Sequence, residues 1–123
     1  MRFLVFDSNL VYAKRVVELL ELYVKDVEVE VAHNIPVLRH RLAGNTYDLV
    51  IADVDTAVDT EQAQEILGKA AERMPIILWS AVCGLTGETQ VIRKCKATQI
   101  LQKAFNREDL QHVLAEAVGS ARE

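Results

Sequence analysis

Tyr47-Asp48-Leu49-Val50-Ile51-Ala52-Asp53-Val54-Asp55, near the middle of this 123-residue chain, carries its strongest structural signal. Four apolar residues in a row stop abruptly at a carboxylate. A run this short and unbroken fits a strand covered on both faces, which places it in the middle of a parallel sheet. Buried strands do not ordinarily finish on an acid unless that end opens into a crevice. In doubly wound sheets the crevice lies beyond the carboxyl ends of the strands. The decisive matter is therefore what else reaches the tip of this strand.

Upstream, Phe3 to Phe6 is a second apolar run, and it too ends in acid, at Asp7. Ser8 or Asn9 can then cap a helix. The stripe Leu10, Ala13, Val17, Leu20 and Val24 follows at three- and four-residue steps, the core side of that helix. Val27-Glu28-Val29-Glu30-Val31 alternates strictly, which predicts a strand with one wet face at the edge of the sheet. Asn34 opens a short helix with Pro36 in its first turn, where a missing N–H costs little. Ile35, Leu38 and Leu42 form its buried side, and Gly44 ends it. On the same helix Arg39, His40 and Arg41 read as a solvated face rather than an anion contact.

Downstream, residues 56–59 form a loop, and Asp59 or Thr60 caps a helix with Ala63, Ile66, Leu67, Ala70 and Met74 inward. Pro75 separates it from Ile76-Ile77-Leu78-Trp79-Ser80, a buried strand with a polar end. Gly84 and Gly87 punctuate a loop before a helix at about 88–96, whose apolar side is thin (Val91, Ile92, Cys95). Gln99-Ile100-Leu101-Gln102 is a short last strand leading to Lys103. Asn106 caps a final helix with Leu110, Val113, Leu114, Ala117 and Val118 facing the sheet. The pattern is β-α five times over. Parallel crossovers of this length are right-handed, so the expected fold is one α/β domain over residues 1–123. It is a flavodoxin-like, doubly wound, five-stranded parallel sheet of order 2-1-3-4-5 with five helices.

Composition narrows the function classes. The chain is half hydrophobic and 26% charged, as in globular domains, and its net charge of −4 argues against nucleic-acid binding through a general basic surface. No apolar stretch approaches the roughly 18 residues of a membrane span. Met1 runs straight into the first strand, leaving no room for a signal peptide, so a cytoplasmic location is expected. Cys83 and Cys95 form neither a CxxC pair nor a His/Cys cluster and read as small buried side chains. A nucleotide- or flavin-binding reading lacks its glycine-rich loop: Asp7-Ser8-Asn9-Leu10 would repel a phosphate rather than cradle it.

In the expected strand order Asp7 and Asp53 occupy neighbouring strand ends, with Asp55 just beyond, and Ser80 and Lys103 come from the next two. Two carboxylates about 5 Å apart repel by roughly 3 kcal/mol at an effective dielectric near 20. A divalent cation with oxygen ligands, the Lys103 ammonium or a raised pKa must relieve this. A metal, an amine and a hydroxyl around one carboxylate would stabilise the equatorial oxygens of an incoming phosphoryl group.

These residues resemble the receiver domain of two-component response regulators over nearly the whole chain. Asp7 matches one member of the family's acidic pair, and Asp53 falls where the family has its phosphoacceptor. Asp55 falls where a backbone carbonyl completes a Mg²⁺ shell shared with Asp7 and Asp53. Ser80-Ala81 matches the pair whose hydroxyl binds the phosphoryl group, and Lys103 with Phe105 matches the segment whose lysine contacts it. The resemblance implies a phosphoprotein that takes its phosphoryl group from a histidine kinase or phosphotransfer protein. Its readout would be docking of a downstream protein on the fourth helix, fifth strand and fifth helix, with a homodimer also open. No output domain is expected within these residues, which read equally as a whole chain or as an excised part of a longer one. No enzymatic activity is implied beyond self-catalysed phosphotransfer and autodephosphorylation.

Three positions depart from the family's pattern. Ser8 stands where a second metal-site acid is expected, which predicts weak Mg²⁺ binding. Ala104 replaces the proline after Lys103, so a cis bond there is not expected. Ile100 replaces the aromatic that changes rotamer with the switch hydroxyl. The alternative is therefore a pseudo-receiver, a protein-binding module that keeps the fold without the chemistry.

Overall fold

The computed structural model describes residues 1–53, 61–80, 99–102 and 107–122, and the side chains of all of these except 80, 99–102, 107 and 117–122. In chain order the elements are β1 (Arg2–Phe6), α1 (Leu10–Tyr23), β2 (Glu28–Ala32), α2 (Ile35–Gly44), β3 (Leu49–Asp53), α3 (Glu61–Ala70), β4 (Ile76–Ser80), β5 (Gln99–Gln102) and α4 (Arg107–Arg122). The helix expected near 88–96 lies outside the described residues, as do Asp59, Thr60, Cys83, Gly84, Gly87, Cys95 and Asn106.

All five strands pair in parallel in the order β2-β1-β3-β4-β5. The alternating strand wins the edge and the unbroken runs take the interior, as hydration of each face demands. All five residues of β3 are buried. The pleat sends successive side chains to opposite faces, which divides the core in two. Phe3, Val5, Leu49, Ile51, Ile77 and Trp79 pack with Ala13, Val16 and Leu20 of α1 and Leu110 and Val113 of α4. On the other face Leu4, Phe6, Val50, Ala52, Ile76 and Leu78 pack with Leu38 and Leu42 of α2 and Ala63, Leu67 and Ala70 of α3.

Two helix expectations are corrected. Leu10, expected on the buried stripe of α1, is 62% exposed, whereas Val16 is buried. Leu10 keeps the phase of the stripe, but α1 starts beyond the strand ends, so its first residue has no sheet beneath it. Helix α3 closes at Ala70, and Met74 reaches the core from the turn that follows. Asn9 and Asn34 cap α1 and α2 as expected, their side-chain oxygens accepting from Val11, Tyr12 and Val37 N–H groups.

Gly44 is the last residue of α2, but the chain leaves through an extended Asn45 rather than a left-handed turn. A Cβ at Gly44 would meet nothing within 4 Å. Gly44→Ala is therefore expected to stabilise the protein by about 0.5 kcal/mol, read as a higher urea midpoint at unchanged slope.

On the acidic face of the edge strand Glu28 is exposed, as expected of a wet face, whereas Glu30 is partly buried and paired. Glu30 Oε2 accepts from Arg2 Nη2 at 2.9 Å and its Oε1 from Arg41 Nη1 at 3.0 Å. Arg41 Nε also donates to the Val31 carbonyl at 2.9 Å. Arg41 thus fastens α2 to β2 and is no part of a solvated face, although Arg39 and His40 are exposed. Arg2 lies 5.2 Å from the centroid of the Tyr47 ring. Burial, followed by the neighbouring Glu30 carboxylate, pushes the Tyr47 hydroxyl up to about 12. For Glu30, burial works toward a higher pKa, but the Tyr47 hydroxyl and the two guanidiniums outweigh it and hold the carboxyl below its ordinary 4.5.

A carboxylate whose pKa falls on folding contributes stability above its unfolded value and loses that contribution as pH drops through its folded value. Glu30→Gln is expected to cost about 1 kcal/mol at pH 7. The gap between variant and parent should close as melts are repeated at successively lower pH through the carboxylate range. A gap that is constant with pH would place the effect elsewhere.

Candidate functional site

Sequence expectation put Asp7 and Asp53 on neighbouring strand ends, and the sheet places them there. Strand pairing between β1 and β3 runs to Phe6↔Ala52, and each acid is the next residue. Strand spacing sets their backbones about 4.8 Å apart. Asp7 is fully buried and Asp53 is 3% exposed. Two acids on adjacent strand ends, both shielded from solvent, make a setting in which a cation is a favourable counterpart.

Local hydrogen bonds fix Asp7. Its N–H donates to the Ala32 carbonyl at 3.1 Å, which carries the β1–β2 ladder one residue past the strand. Its Oδ1 accepts from the Asn9 N–H at 2.8 Å. Asn9 in turn caps α1 through Val11 and Tyr12, at 3.0 and 3.3 Å. Ser8 between them is exposed, so the position of the expected second acid brings no carboxylate into the cluster.

The other candidates are placed to different extents. Register pairs Asp53 with Trp79, and Ser80 follows as the last residue of β4, opposite Gln102. Backbone alone is described at Ser80 and Ile100, the latter opposite Leu78. Asp55, Lys103 and Ala104 lie outside the described residues. Lys103 directly follows β5, the neighbour of the strand that Ser80 ends.

Two neighbours of the acids were not read as site residues from sequence. Trp79 is 1% exposed and stands beside Asp53 in register. The Tyr12 ring meets it edge-on, with centroids 6.0 Å apart and planes at 90°. The signal for Trp79 was present in the sequence, because two buried runs ending in Asp53 and Ser80 fix their relative register to within a residue. Nothing in the sequence marked Tyr12, whose partner lies 67 positions away.

A five-stranded parallel sheet of this order, with acids buried at the carboxyl ends of β1 and β3, has the fold of response regulator receiver (CheY-like) domains. Among solved structures, the signal receiver domain of an HD domain-containing protein from Pseudomonas fluorescens Pf-5 superposes with a TM-score of 0.83 at 20% identity, over 98% of this chain and 96% of that one. The receiver domain of a sensor histidine kinase from Pseudomonas aeruginosa PAO1, which has a magnesium ion in its active site cleft, gives 0.79 at 19%, over 96% and 97%. A CheY-like response regulator receiver domain protein from Methanospirillum hungatei JF-1 gives 0.79 at 18%, over 98% and 95%. The sequence itself matches no family model and no curated protein.

The donor chemistry around Asp7 and Asp53 fits a hard cation in part. Both ligands are carboxylates, which Mg²⁺ prefers, and that ion needs only one or two from the protein because it keeps several waters. Among the described residues no group of three His, Cys, Asp or Glu side chains could hold a metal ion. No helix among them is long and apolar enough to cross a membrane.

Proposed function

We propose that this chain is a single receiver domain of a two-component system that accepts a phosphoryl group on Asp53. The observation that carries the reading is the pair Asp7 and Asp53, buried side by side at the carboxyl rim of a receiver-type sheet. A carboxylate oxygen of Asp53 attacks phosphorus as the bond to the donor's imidazole nitrogen breaks, and the imidazole leaves. Bound Mg²⁺ supplies charge neutralisation for the approaching phosphoryl oxygens. Asp7 and Asp53 would hold that ion together with the carbonyl of Asp55, and Ser80 and Lys103 would take the phosphoryl oxygens. With Ser8 in place of an acid, binding of the ion is weak.

The donor is a histidine kinase or phosphotransfer protein, and the output is docking of a partner on β5, α4 and the helix expected at about 88–96, which lies outside the described residues. The partner senses a population shift between two arrangements of those elements. The exposed Ser8 favours a second reading, a pseudo-receiver that binds its partner without phosphorylation. Intact mass after incubation with acetyl phosphate and Mg²⁺ separates the two. The receiver gains one phosphoryl group, and the gain depends on the divalent ion. An unchanged mass up to high Mg²⁺ leaves the pseudo-receiver.

A further inference from the structure

We propose that the first turn of α1 is part of this site, with Tyr12 as the residue that positions Trp79 against Asp53. The inference rests on the reading of Asp53 as phosphoacceptor for its kinetic consequence, though not for its geometry.

The pleat puts Asp7, Asp53 and Trp79 on one face of the sheet. Asp7 continues the parity of Phe3 and Val5, Asp53 that of Leu49 and Ile51, and Trp79 that of Ile77, all of which pack toward α1. Three adjacent strands therefore bring a carboxylate, a carboxylate and an indole to one face near their carboxyl ends, each at most 3% exposed. Asp7 lies one residue past β1, Asp53 is last in β3 and Trp79 stands one residue before the end of β4. Trp79 forms the apolar flank of the acidic pair. An apolar flank excludes water from one side of the carboxylates, which strengthens whatever electrostatic interaction a cation makes there.

A wall is useful only if it stays put, and α1 holds it. The Asp7 carboxylate takes the Asn9 N–H at 2.8 Å, the Asn9 side chain takes the Tyr12 N–H at 3.3 Å, and the Tyr12 ring closes on Trp79 at 6.0 Å. The chain of contacts starts at one acid and returns, through the register pair Trp79↔Asp53, to the other. Tyr12 is still 41% exposed, so the helix has not simply buried an aromatic in its core stripe. Its contact is with the indole, through an edge-to-face geometry that aromatic rings favour. The interaction needs the ring rather than the hydroxyl, which makes phenylalanine a conservative replacement and alanine a disruptive one.

The test compares Tyr12→Ala and Tyr12→Phe with the parent chain. Trp79 is the only tryptophan, so its emission reports this wall alone. In metal-free buffer, acrylamide quenching of Trp79 should rise at least threefold in Tyr12→Ala and stay at the parent value in Tyr12→Phe. With acetyl phosphate and Mg²⁺, the maximal phosphorylation rate of Tyr12→Ala should fall about tenfold, with the phosphodonor concentration at half-maximal rate changed less than twofold, and Tyr12→Phe should match the parent. Circular dichroism and melting of both variants check that the fold is intact. Unchanged quenching in Tyr12→Ala, or equal loss in both variants, overturns the positioning role. If the parent chain takes no phosphoryl group, the phosphoacceptor reading fails while the quenching comparison still decides whether Tyr12 holds Trp79.

Discussion

Asp53→Asn is expected to abolish the phosphoryl adduct while making the protein more stable in metal-free buffer. The first half follows from chemistry, since an amide oxygen is a poor nucleophile toward phosphorus and carries no charge for a cation. The second half follows from the fold. Two carboxylates at strand spacing repel by up to about 3 kcal/mol at an effective dielectric near 20, and the amide removes that repulsion. The ammonium proposed at Lys103 would reduce the gain, so about 1 kcal/mol is expected in EDTA.

Mg²⁺ should reverse the order. At ten times its dissociation constant an ion that binds only the folded state adds about 1.4 kcal/mol to the parent, and much less to a variant that has lost one of its two carboxylates. Thermal melts of both proteins with EDTA and with a Mg²⁺ series give the crossing directly. A variant that melts lower than the parent even in EDTA would show that Asp53 is held by a partner whose attraction exceeds the repulsion from Asp7.

The second large effect is a contrast between two leucines of α1. Leu20 is fully buried against the sheet, and Leu20→Ala is expected to cost about 3 kcal/mol through lost burial and the cavity left behind. Leu10 belongs to the same sequence stripe but stands beyond the strand ends, so Leu10→Ala is expected to cost less than about 0.5 kcal/mol. Urea unfolding at constant slope measures both. Comparable losses at the two positions would mean that the first turn of α1 lies down on the sheet.

Those two leucines also mark where sequence reading holds and where it stops. Periodicity assigned both to the buried side, because periodicity reports the direction a side chain takes and not whether anything lies in that direction. The end of the sheet is a tertiary fact, and Leu10 overhangs it. The strands were legible for the opposite reason: the unbroken runs at 3–6, 49–52 and 76–79 and the alternation at 27–31 each state how many faces are dry. From these the order β2-β1-β3-β4-β5 and the meeting of Asp7 with Asp53 followed. Glu30 escaped because alternation marks its face as polar without saying who neutralises it, and the answer, Arg2 and Arg41, comes from 28 positions before and 11 after. Tyr12 escaped in the same way. Contacts between side chains distant in the chain and unremarkable in type leave no local trace. The roles expected of Asp55, Ser80 and Lys103 depend on side chains or residues outside those described, and they stand as proposals.

The acidic face of β2 has a consequence for behaviour in concentrated solution. As the outermost strand on its side, β2 ends the sheet with a row of backbone amides and carbonyls that a second chain could use as a template. Glu28 and Glu30 put negative charge along that border, and two identical borders brought together would set like charges against each other. The guanidiniums that clasp Glu30 quieten it within one molecule, leaving the exposed Glu28 as the sentry against aggregation through this border.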